Sequence, residues 1–451
     1  MNYLEKIVPM TSQMLQSLSR LIRHNSVKGA PEEGKPFGSG PAAALAEALS
    51  IASEMGFRTC NMDNYCGYAE IGEGEELLGV VAHLDVVPAG EGWDSDPFTM
   101  VQKGERVYGR GVSDDKGAVI ASLYAMKLLS ESGIHLGKRI RLLMGCDEES
   151  GSECMKYYAL HGEPIRAGFT PDGYFPGIHG EKGGCSMAAY SKHTQILSMN
   201  GGFVTNAVCS RCTTVVPASC VDENALKEAL SKTALTSYTV TAENDTLVIY
   251  AQGTAAHAST PLLGVNAAAC TMQALQNAGM KDDFVDFYMS HLGTECDGSG
   301  IGCKYSDAYG PLTFNNGIVK TENGQICCTI DIRYPVTLTP EQLRQMAEPH
   351  LEDAQGRIEI LKIGKPLFYP ETSPLVQNLY EAYKEVTGDT QHKPMVIGGG
   401  TYAKHVPGII AFGCEFPDTD NHIHDVNESL SIHELQMQTA IYTRALEKLL
   451  G

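Results

Sequence analysis

Apolar and polar positions in the first part of the chain predict strands and helices in alternation. The apolar run at 77–82 predicts a buried strand that ends at His83. Apolar residues recur at helical spacing across 118–129, which predicts a helix that ends near Gly133, and the run at 139–146 predicts the next strand. Strand, helix and strand, with polar residues after each strand, are typical of an α/β fold, in which ligands collect beyond the carboxyl ends of the strands.

A different pattern of short elements begins after Gly180. Stretches with β or helical periodicity follow one another at 223–230, 246–250, 267–278, 327–333 and 358–363. This mixture predicts an α+β insertion, and from Ser373 the α/β pattern returns and ends in a helix at 431–450. We expect the α/β part to have a mostly parallel sheet flanked by helices. The expected domain boundaries are 1–182 and 368–451 for the α/β domain and 183–367 for the insertion.

The N-terminal stretch, 1–25, mixes apolar residues with charged ones such as Glu5, Lys6 and Arg20. This pattern predicts an amphipathic surface helix rather than the apolar core of a signal peptide. No apolar stretch in the sequence approaches the ~20 residues that a membrane span needs. We therefore expect a cytoplasmic protein with no membrane partner.

Length and charge narrow the possible functions. At 451 residues the chain exceeds a single typical core and should divide into about two or three domains. Its 34 Lys and Arg against 54 Asp and Glu give a formal net charge of −20, which argues against nucleic acid and anionic membranes as partners. A solvated acidic surface explains most of this excess, and carboxylates gathered around metal in one cleft would explain the remainder.

The sequence contains fourteen cysteines. Because no export signal is recognisable, we expect reduced thiols rather than disulfides. Four of them lie in apolar runs and are predicted to be small buried residues: Cys146, Cys327, Cys328 and Cys414. Cys209 and Cys212 have the spacing of a zinc knuckle or a redox pair, but no second such pair completes a tetrahedral site, so chance is the preferred interpretation.

Three short motifs with candidate metal ligands each follow a strand or strand end. They are His83-Leu84-Asp85, Asp114-Asp115-Lys116-Gly117 and Asp147-Glu148-Glu149. Imidazole nitrogen and carboxylate oxygens are the ligands of hydrolytic zinc, cobalt or manganese sites, and a Glu beside such a site can accept a proton from water. Each motif also has a structural explanation: a polar strand end, a helix N-cap at Ser113 or Asp114, and a solvated turn. Asp172 and the run at 422–428 add further potential ligands.

In combination, the order, spacing and flanking glycines of these motifs resemble the M20 family of metallopeptidases, most closely its dipeptidase branch of PepV-like and carnosinase-like enzymes. The resemblance covers nearly the whole chain. It is carried by HLDVVPAGEGWDSDPF, YGRGVSDDKGA, DEESGSECMKYY, TPDGYFP, GTAAHASTPLLGVNA, DIRYP, GGGTYAKHVPGIIAFG and HIHDVNE.

The resemblance implies a site for two divalent metal ions, zinc first, with manganese and cobalt as alternatives. His83 and Asp172 would hold one ion, Glu149 and His424 the other, and Asp114 would bridge both. His424 is chosen over His422 because only His424 satisfies the family's His-x-x-Asn-Glu pattern. The family also implies a cis peptide after Asp114.

Glu148 would be the general base and Asp85 the residue that orients His83, while Asp115 is left as support for the start of the following helix. The implied reaction is hydrolysis of dipeptides with free termini by water activated between the two metals. An amidohydrolase acting on N-acyl amino acids and a carboxypeptidase are the alternatives within enzymes. A catalytically silent binding protein on the same scaffold would be expected to lack the base.

The insertion resembles the family's lid domain. His257 would stabilise the oxyanion, and Asn206 and Arg333 would contact substrate. Arg333 would suit the free carboxylate of the substrate, because a guanidinium pairs bidentately with a carboxylate. Gly400 and Thr401 would line the far end of the substrate. Shorter lids in the family dimerise, whereas a long lid reaches its own site. We therefore expect a monomer that takes a small peptide, a dipeptide, as its substrate.

Overall fold

The computed structural model describes residues 3–451, so Met1 and Asn2, with that part of the predicted N-terminal helix, lie outside the described residues. The chain divides into two compact units. The first unit runs up to Gly180 and resumes at Phe368, and the second, inserted unit comprises Glu181–Leu367.

Within the described residues the helices are α1 (Tyr3–Ile7), α2 (Thr11–Ile22), α3 (Ser39–Glu54), α4 (Lys116–Glu131), α5 (Glu153–His161), α6 (Glu223–Ser231), α7 (Ala267–Asn277), α8 (Asp283–His291), α9 (Pro340–Ala347), α10 (Pro374–Thr387) and α11 (Ile432–Leu450). The strands are β1 (Arg58–Met62), β2 (Cys66–Ile71), β3 (Leu77–His83), β4 (Val101–Lys103), β5 (Arg106–Tyr108), β6 (Arg139–Gly145), β7 (Ala167–Thr170), β8 (Ile178–Glu181), β9 (Gly183–Ser191), β10 (Ser198–Gly201), β11 (Arg211–Pro217), β12 (Ser237–Glu243), β13 (Thr246–Gln252), β14 (Ser306–Asp307), β15 (Gly310–Pro311), β16 (Thr313–Glu322), β17 (Gln325–Tyr334), β18 (Gly356–Gly364), β19 (Leu367–Phe368), β20 (Met395–Ile397), β21 (Ile409–Ala411) and β22 (Ser429–Ser431).

The first unit is built on a mixed sheet with strand order β1-β2-β6-β3-β7-β21-β8-β19, and β20 pairs with β8. Its central strands β6, β3, β7 and β21 are parallel, whereas β1, β2 and β8 are antiparallel to their neighbours. Helices α4 and α11 pack on each other and on strand β3. The predicted α/β architecture is therefore confirmed, with the parallel pairs concentrated in the middle of the sheet.

The central strands are buried on both faces, which explains why they are continuous apolar runs. Every residue of β3 is buried. Strands β3 and β7 also approach closely. A Cβ atom on Gly168 would lie only 1.8 Å from the Gly79 carbonyl oxygen. The close packing of these strands thus requires a glycine at position 168.

The inserted unit contains an antiparallel sheet with strand order β12-β13-β11-β10-β16-β17-β9-β18. Helix α7 packs on β11 and β13, α6 on β12, and α8 on β18. Buried apolar residues such as Ile249, Met272 and Phe287 form its core. The predicted α+β character of the insertion is confirmed.

Local predictions are corrected at two places. The N-terminal helix is divided into α1 and α2 by a 3-10 turn, Val8–Met10, that contains a proline. Cys327 is half-buried rather than buried, although Cys146, Cys328 and Cys414 are buried as predicted. All fourteen cysteines lie in the described part of the chain and are free thiols.

Among residues 3–451, no helix combines the length and apolar character needed to cross a bilayer.

Candidate metal centre

Three neighbouring parallel strands bring candidate ligands to one edge of the sheet. Strand β3 ends at His83, which lies opposite Gly145 at the end of β6, and β7 lies on the other side of β3. The segments that follow β6 and β7 carry Glu148, Glu149 and Asp172. His83, Glu148, Glu149 and Asp172 therefore meet because the carboxyl ends of parallel strands lie at the same edge, whereas Asp114 follows β5 of a separate three-stranded sheet.

The imidazole of His83 is buried and contacts an oxygen at each ring nitrogen. Nδ1 lies 2.9 Å from the main-chain carbonyl of Asp85, and Nε2 lies 2.9 Å from Asp114 Oδ1. Burial alone would lower the pKa of His83, but the hydrogen bond with Asp114 and the charges of Asp114, Asp115 and Asp85 outweigh it, so the pKa is raised well above its usual value. A neutral imidazole has only one N–H group, so this arrangement needs a positive charge, which either a proton or a cation at Nε2 supplies.

Asp114 lies between two imidazoles. Its Oδ2 atom is 2.8 Å from Nε2 of His424, and the same nitrogen is 3.3 Å from Glu149 Oε1. Burial alone would raise the pKa of Asp114, but hydrogen bonds with His424 and His83 hold it well below its usual range. The hydrogen bonds with Asp114 and Glu149 raise the pKa of His424 to about 11. The Asp114–Asp115 peptide is cis, as the family resemblance implies.

Among the described residues, two sets have ligand atoms within 4.8 Å of one another. One set is His83, Asp114 and Glu149, and the other is His83, Glu148 and Asp172. Burial and the charges of Asp172, Glu149 and Asp85 raise the pKa of Glu148 well above its usual value. Imidazole and carboxylate groups crowded in this way fit divalent cations of the zinc, manganese or cobalt type, because cations offset the repulsion between the carboxylates.

Asp85 contacts both His83 and the turn that follows β6. Its carbonyl accepts from His83 Nδ1, whereas its carboxylate accepts the main-chain N–H groups of Glu148 at 3.0 Å and Glu149 at 3.1 Å. Burial raises the pKa of the Asp85 carboxyl to about 6, against the lowering effects of His83 and these hydrogen bonds. The contact between Asp85 and the His83 imidazole is therefore made by the main-chain carbonyl, since Asp85 Oδ1 lies 3.7 Å from Nδ1.

The alternative interpretation of Ser113 or Asp114 as the N-cap of helix α4 is wrong, because Ser113 Oγ has no hydrogen-bond partner among residues 3–451 and the Asp114 carboxylate contacts His83 and His424. Asp115 is the N-cap residue, but its side chain makes no capping hydrogen bond. Its Oδ2 atom instead accepts the main-chain N–H of His83 at 3.1 Å. The buried Asp115 carboxylate thus holds the end of strand β3.

Sequence reasoning assigned no role to Glu428, which the structure places beside Asp114. Its buried carboxylate accepts the main-chain N–H groups of Gly111, Ser113 and Asp114. Glu428 is the last residue of the HIHDVNE motif, so the sequence marked it as part of a conspicuous motif. The motif does not indicate which groups this glutamate contacts.

Gly400 and Thr401 precede a short 3-10 turn in the first unit. Thr401 Oγ1 accepts the main-chain N–H of Ala403 at 3.1 Å. The next residue, Tyr402, is buried and packs edge-on against His83, with the ring centroids 6.3 Å apart. The turn therefore packs against His83 through Tyr402.

The three candidate residues of the inserted unit lie on linked segments. Asn206 and His257 are exposed, and the Asn206 carbonyl accepts the N–H of Ala258 at 2.8 Å. Arg333 lies in β17 opposite Thr313, whose hydroxyl donates to the Ala258 carbonyl. Asp331 holds the Arg333 guanidinium through Nε at 2.7 Å and Nη2 at 3.0 Å.

Comparison with known proteins points to one family. A model of peptidase family M20/M25/M40 matches residues 79–448. The protein named Putative dipeptidase of Staphylococcus haemolyticus is 33% identical over 467 residues, covering 99% of this chain and 98% of that protein. The Putative dipeptidase of Bacillus subtilis is 32% identical over 466 residues, covering 100% of both.

Solved structures show the same fold at much lower identity. The dipeptidase Dug1p of Saccharomyces cerevisiae has a TM-score of 0.58 and 15% identity, covering 100% of this chain and 98% of that one. Human carnosine dipeptidase 1 has a TM-score of 0.57 and 14% identity, covering 99% and 98% respectively.

Proposed function

The chain belongs to peptidase family M20/M25/M40, and from this premise we propose that it is a metal-dependent dipeptidase acting on dipeptides with free termini. The observation that carries the proposal is the meeting of His83, Asp114 and Glu149 with Glu148 and Asp172 at one sheet edge. The relatives named dipeptidases match the chain over almost its whole length, which supports the choice of substrate class.

The metal ligands in this proposal are His83 and Asp172 for one cation, Glu149 and His424 for the other, and Asp114 between them. Two divalent cations, zinc or else manganese or cobalt, would supply Lewis acidity that lowers the pKa of water and stabilises negative charge on the substrate carbonyl oxygen. The Asp114 contacts with both imidazoles support its assignment as the bridging residue.

Glu148 is the proposed general base. Its carboxylate accepts a proton from the attacking water and returns that proton to the leaving amine. Burial and neighbouring carboxylates raise its pKa, and strongly shifted carboxyl pKa values cluster at catalytic sites. The contact of its main-chain N–H with Asp85 supports the role by fixing the turn from which Glu148 projects.

In the inserted unit, we propose that Asn206, His257 and Arg333 bind the substrate, with Arg333 pairing with its free carboxylate. Asp331 presents the guanidinium in a fixed orientation, which favours recognition of a planar anion. In the first unit, Gly400 and Thr401 would line the far end of the substrate, with main-chain N–H groups available to a terminal carboxylate. The proposed working form is a monomer, which light scattering in solution tests.

A hydrolysis panel tests the proposal. Metal-free protein is reconstituted with zinc, manganese or cobalt and offered dipeptides with free termini, N-acyl amino acids and longer peptides. Turnover of the dipeptides in preference to the other two classes is expected. Turnover of N-acyl amino acids alone would refute the proposal and identify the protein as an amidohydrolase. Release of C-terminal residues from long peptides would instead identify it as a carboxypeptidase.

A further inference from the structure

A buried glutamate outside the proposed ligand set holds the main chain around Asp114. Glu428 is 1% exposed, and both of its carboxylate oxygens are used twice. Oε2 accepts from Arg110 Nη1 and the Gly111 main-chain N–H, each at 2.9 Å. Oε1 accepts the main-chain N–H groups of Ser113 at 2.9 Å and Asp114 at 3.1 Å.

The same glutamate lies on the segment that carries His424. Its main-chain carbonyl accepts the N–H of Gly109 at 3.1 Å, and the strand that follows, β22, pairs with β5. Glu428 therefore fastens the segment of His424 to the segment of Asp114. His424 Nε2 and Asp114 Oδ2 lie 2.8 Å apart, so a small movement of either segment changes this distance.

The chemistry of this contact favours a rigid arrangement. The buried Arg110, 1% exposed, neutralises the Glu428 charge, and charge-assisted hydrogen bonds are the strong ones. Loss of the acceptor would leave three buried main-chain N–H groups without their partner, which is costly in a protein interior. A carboxylate accepts hydrogen bonds through both of its oxygens and carries no donor, whereas the amide of a glutamine has one oxygen acceptor and an NH₂ donor.

We propose that Glu428 is a positioning residue of the metal centre: it sets the direction of the Asp114 carboxylate relative to His424 and thereby the affinity for divalent cations. The inference rests on the proposed two-cation site and deepens it. Glu428 itself contacts neither substrate nor cation in this scheme, since its four hydrogen bonds occupy the carboxylate. Its effect is exerted through the main chain of Asp114.

The test compares Glu428→Gln with Glu70→Gln. Glu70 is a matched control, because it is also buried in the first unit and its Oε2 pairs with a buried arginine, Arg141, at 2.6 Å. Metal-free protein is titrated with Co²⁺ against a chelator, and the visible absorption of the bound Co²⁺ reports its coordination. We expect Glu428→Gln to weaken cation affinity by about 10–100-fold and to change the spectrum, as loss of residues that support ligands typically does. Glu70→Gln should leave affinity and spectrum unchanged.

Cation affinity within about twofold of the parent and an unchanged spectrum in Glu428→Gln would overturn the inference, whatever happens to hydrolysis. If that variant does not fold, Arg110→Lys weakens the same contact while keeping its charge, and weaker Co²⁺ binding is again expected. Unchanged binding in Arg110→Lys would then overturn the proposal. A parent protein that binds cations but hydrolyses no dipeptide would refute the proposed function and leave the role of Glu428 intact.

Discussion

The carboxylate of Asp85 accepts the main-chain N–H group of Glu148 at 3.0 Å. This contact joins the end of strand β3 to the turn after its neighbour β6, and the second carboxylate oxygen accepts the N–H of Glu149. The carboxylate therefore acts on the turn that carries the proposed base, while the Asp85 carbonyl contacts His83.

Replacement of Asp85 by Asn should separate these two contacts. The amide nitrogen of Asn cannot accept a hydrogen bond, so one main-chain N–H loses its partner, and the free energy of unfolding should fall by about 1–3 kcal/mol. Because the carbonyl contact to His83 remains, cation binding should be retained, while kcat falls more than KM changes. Urea denaturation, cation titration and steady-state kinetics measure these effects. Unchanged stability together with unchanged kcat would contradict this role of the carboxylate.

Substitution of Glu148 by Gln should abolish the proposed proton transfer. We expect kcat to fall by roughly 10²–10⁴-fold, the usual contribution of a general base. The metal content of the purified protein should stay at the parent level, measured by elemental analysis. The exposed Glu153, which pairs with Lys156 on helix α5, provides a control, because Glu153→Gln should leave kcat unchanged. Retained hydrolysis in Glu148→Gln would exclude Glu148 as the base.

Replacement of Arg333 by Lys should affect recognition of the substrate carboxylate. The planar fork of Arg binds a carboxylate bidentately and Lys does not, so KM for dipeptides should rise by about tenfold or more. Dipeptides with an amidated C-terminus should show the same KM with both proteins, because the charged partner is absent. Arg357→Lys, on strand β18 of the same unit, is the matched control. An equal rise in KM for the free and amidated substrates would refute the assignment.

The contribution of Glu163 to stability should depend on pH. Hydrogen bonds from Arg139, with further contributions from Arg141, lower the pKa of Glu163 from 4.5 to about 2. A carboxyl whose pKa is lower in the folded protein stabilises it above pH 4.5, and this stability is lost as the pH falls from 4.5 towards 2. Because Glu163 is half exposed, Glu163→Gln should lower the free energy of unfolding by only about 1 kcal/mol at pH 7. Urea titrations should show the two proteins converging as the pH is lowered, and a constant difference would contradict the expectation.

Most of the fold followed from local pattern. Strand β3 and helix α11 lie where the pattern predicts them, because burial of both faces of a strand gives a continuous apolar run and burial of one face of a helix gives a helical period. The N-cap of helix α4 could not be predicted from the sequence. The acids before α4 have the composition of an N-cap, but the structure uses Asp115 to bind the His83 main chain instead. The Asp115 carboxylate can accept either a free N–H group of the helix or the main-chain N–H of His83, and only the packing of strand against helix decides between these donors.

For the site, the sequence by itself determined the kinds of chemical groups, their order and the strand ends beside His83 and Glu148, because these properties depend on neighbours in the chain. The tertiary structure alone decided that Asp114 lies between His83 and His424, and that the Glu428 carboxylate holds the main chain of Asp114. These contacts join residues far apart in the chain. They depend on the order of strands in the sheet and on the burial of charge around it, which hydrophobic periodicity does not encode.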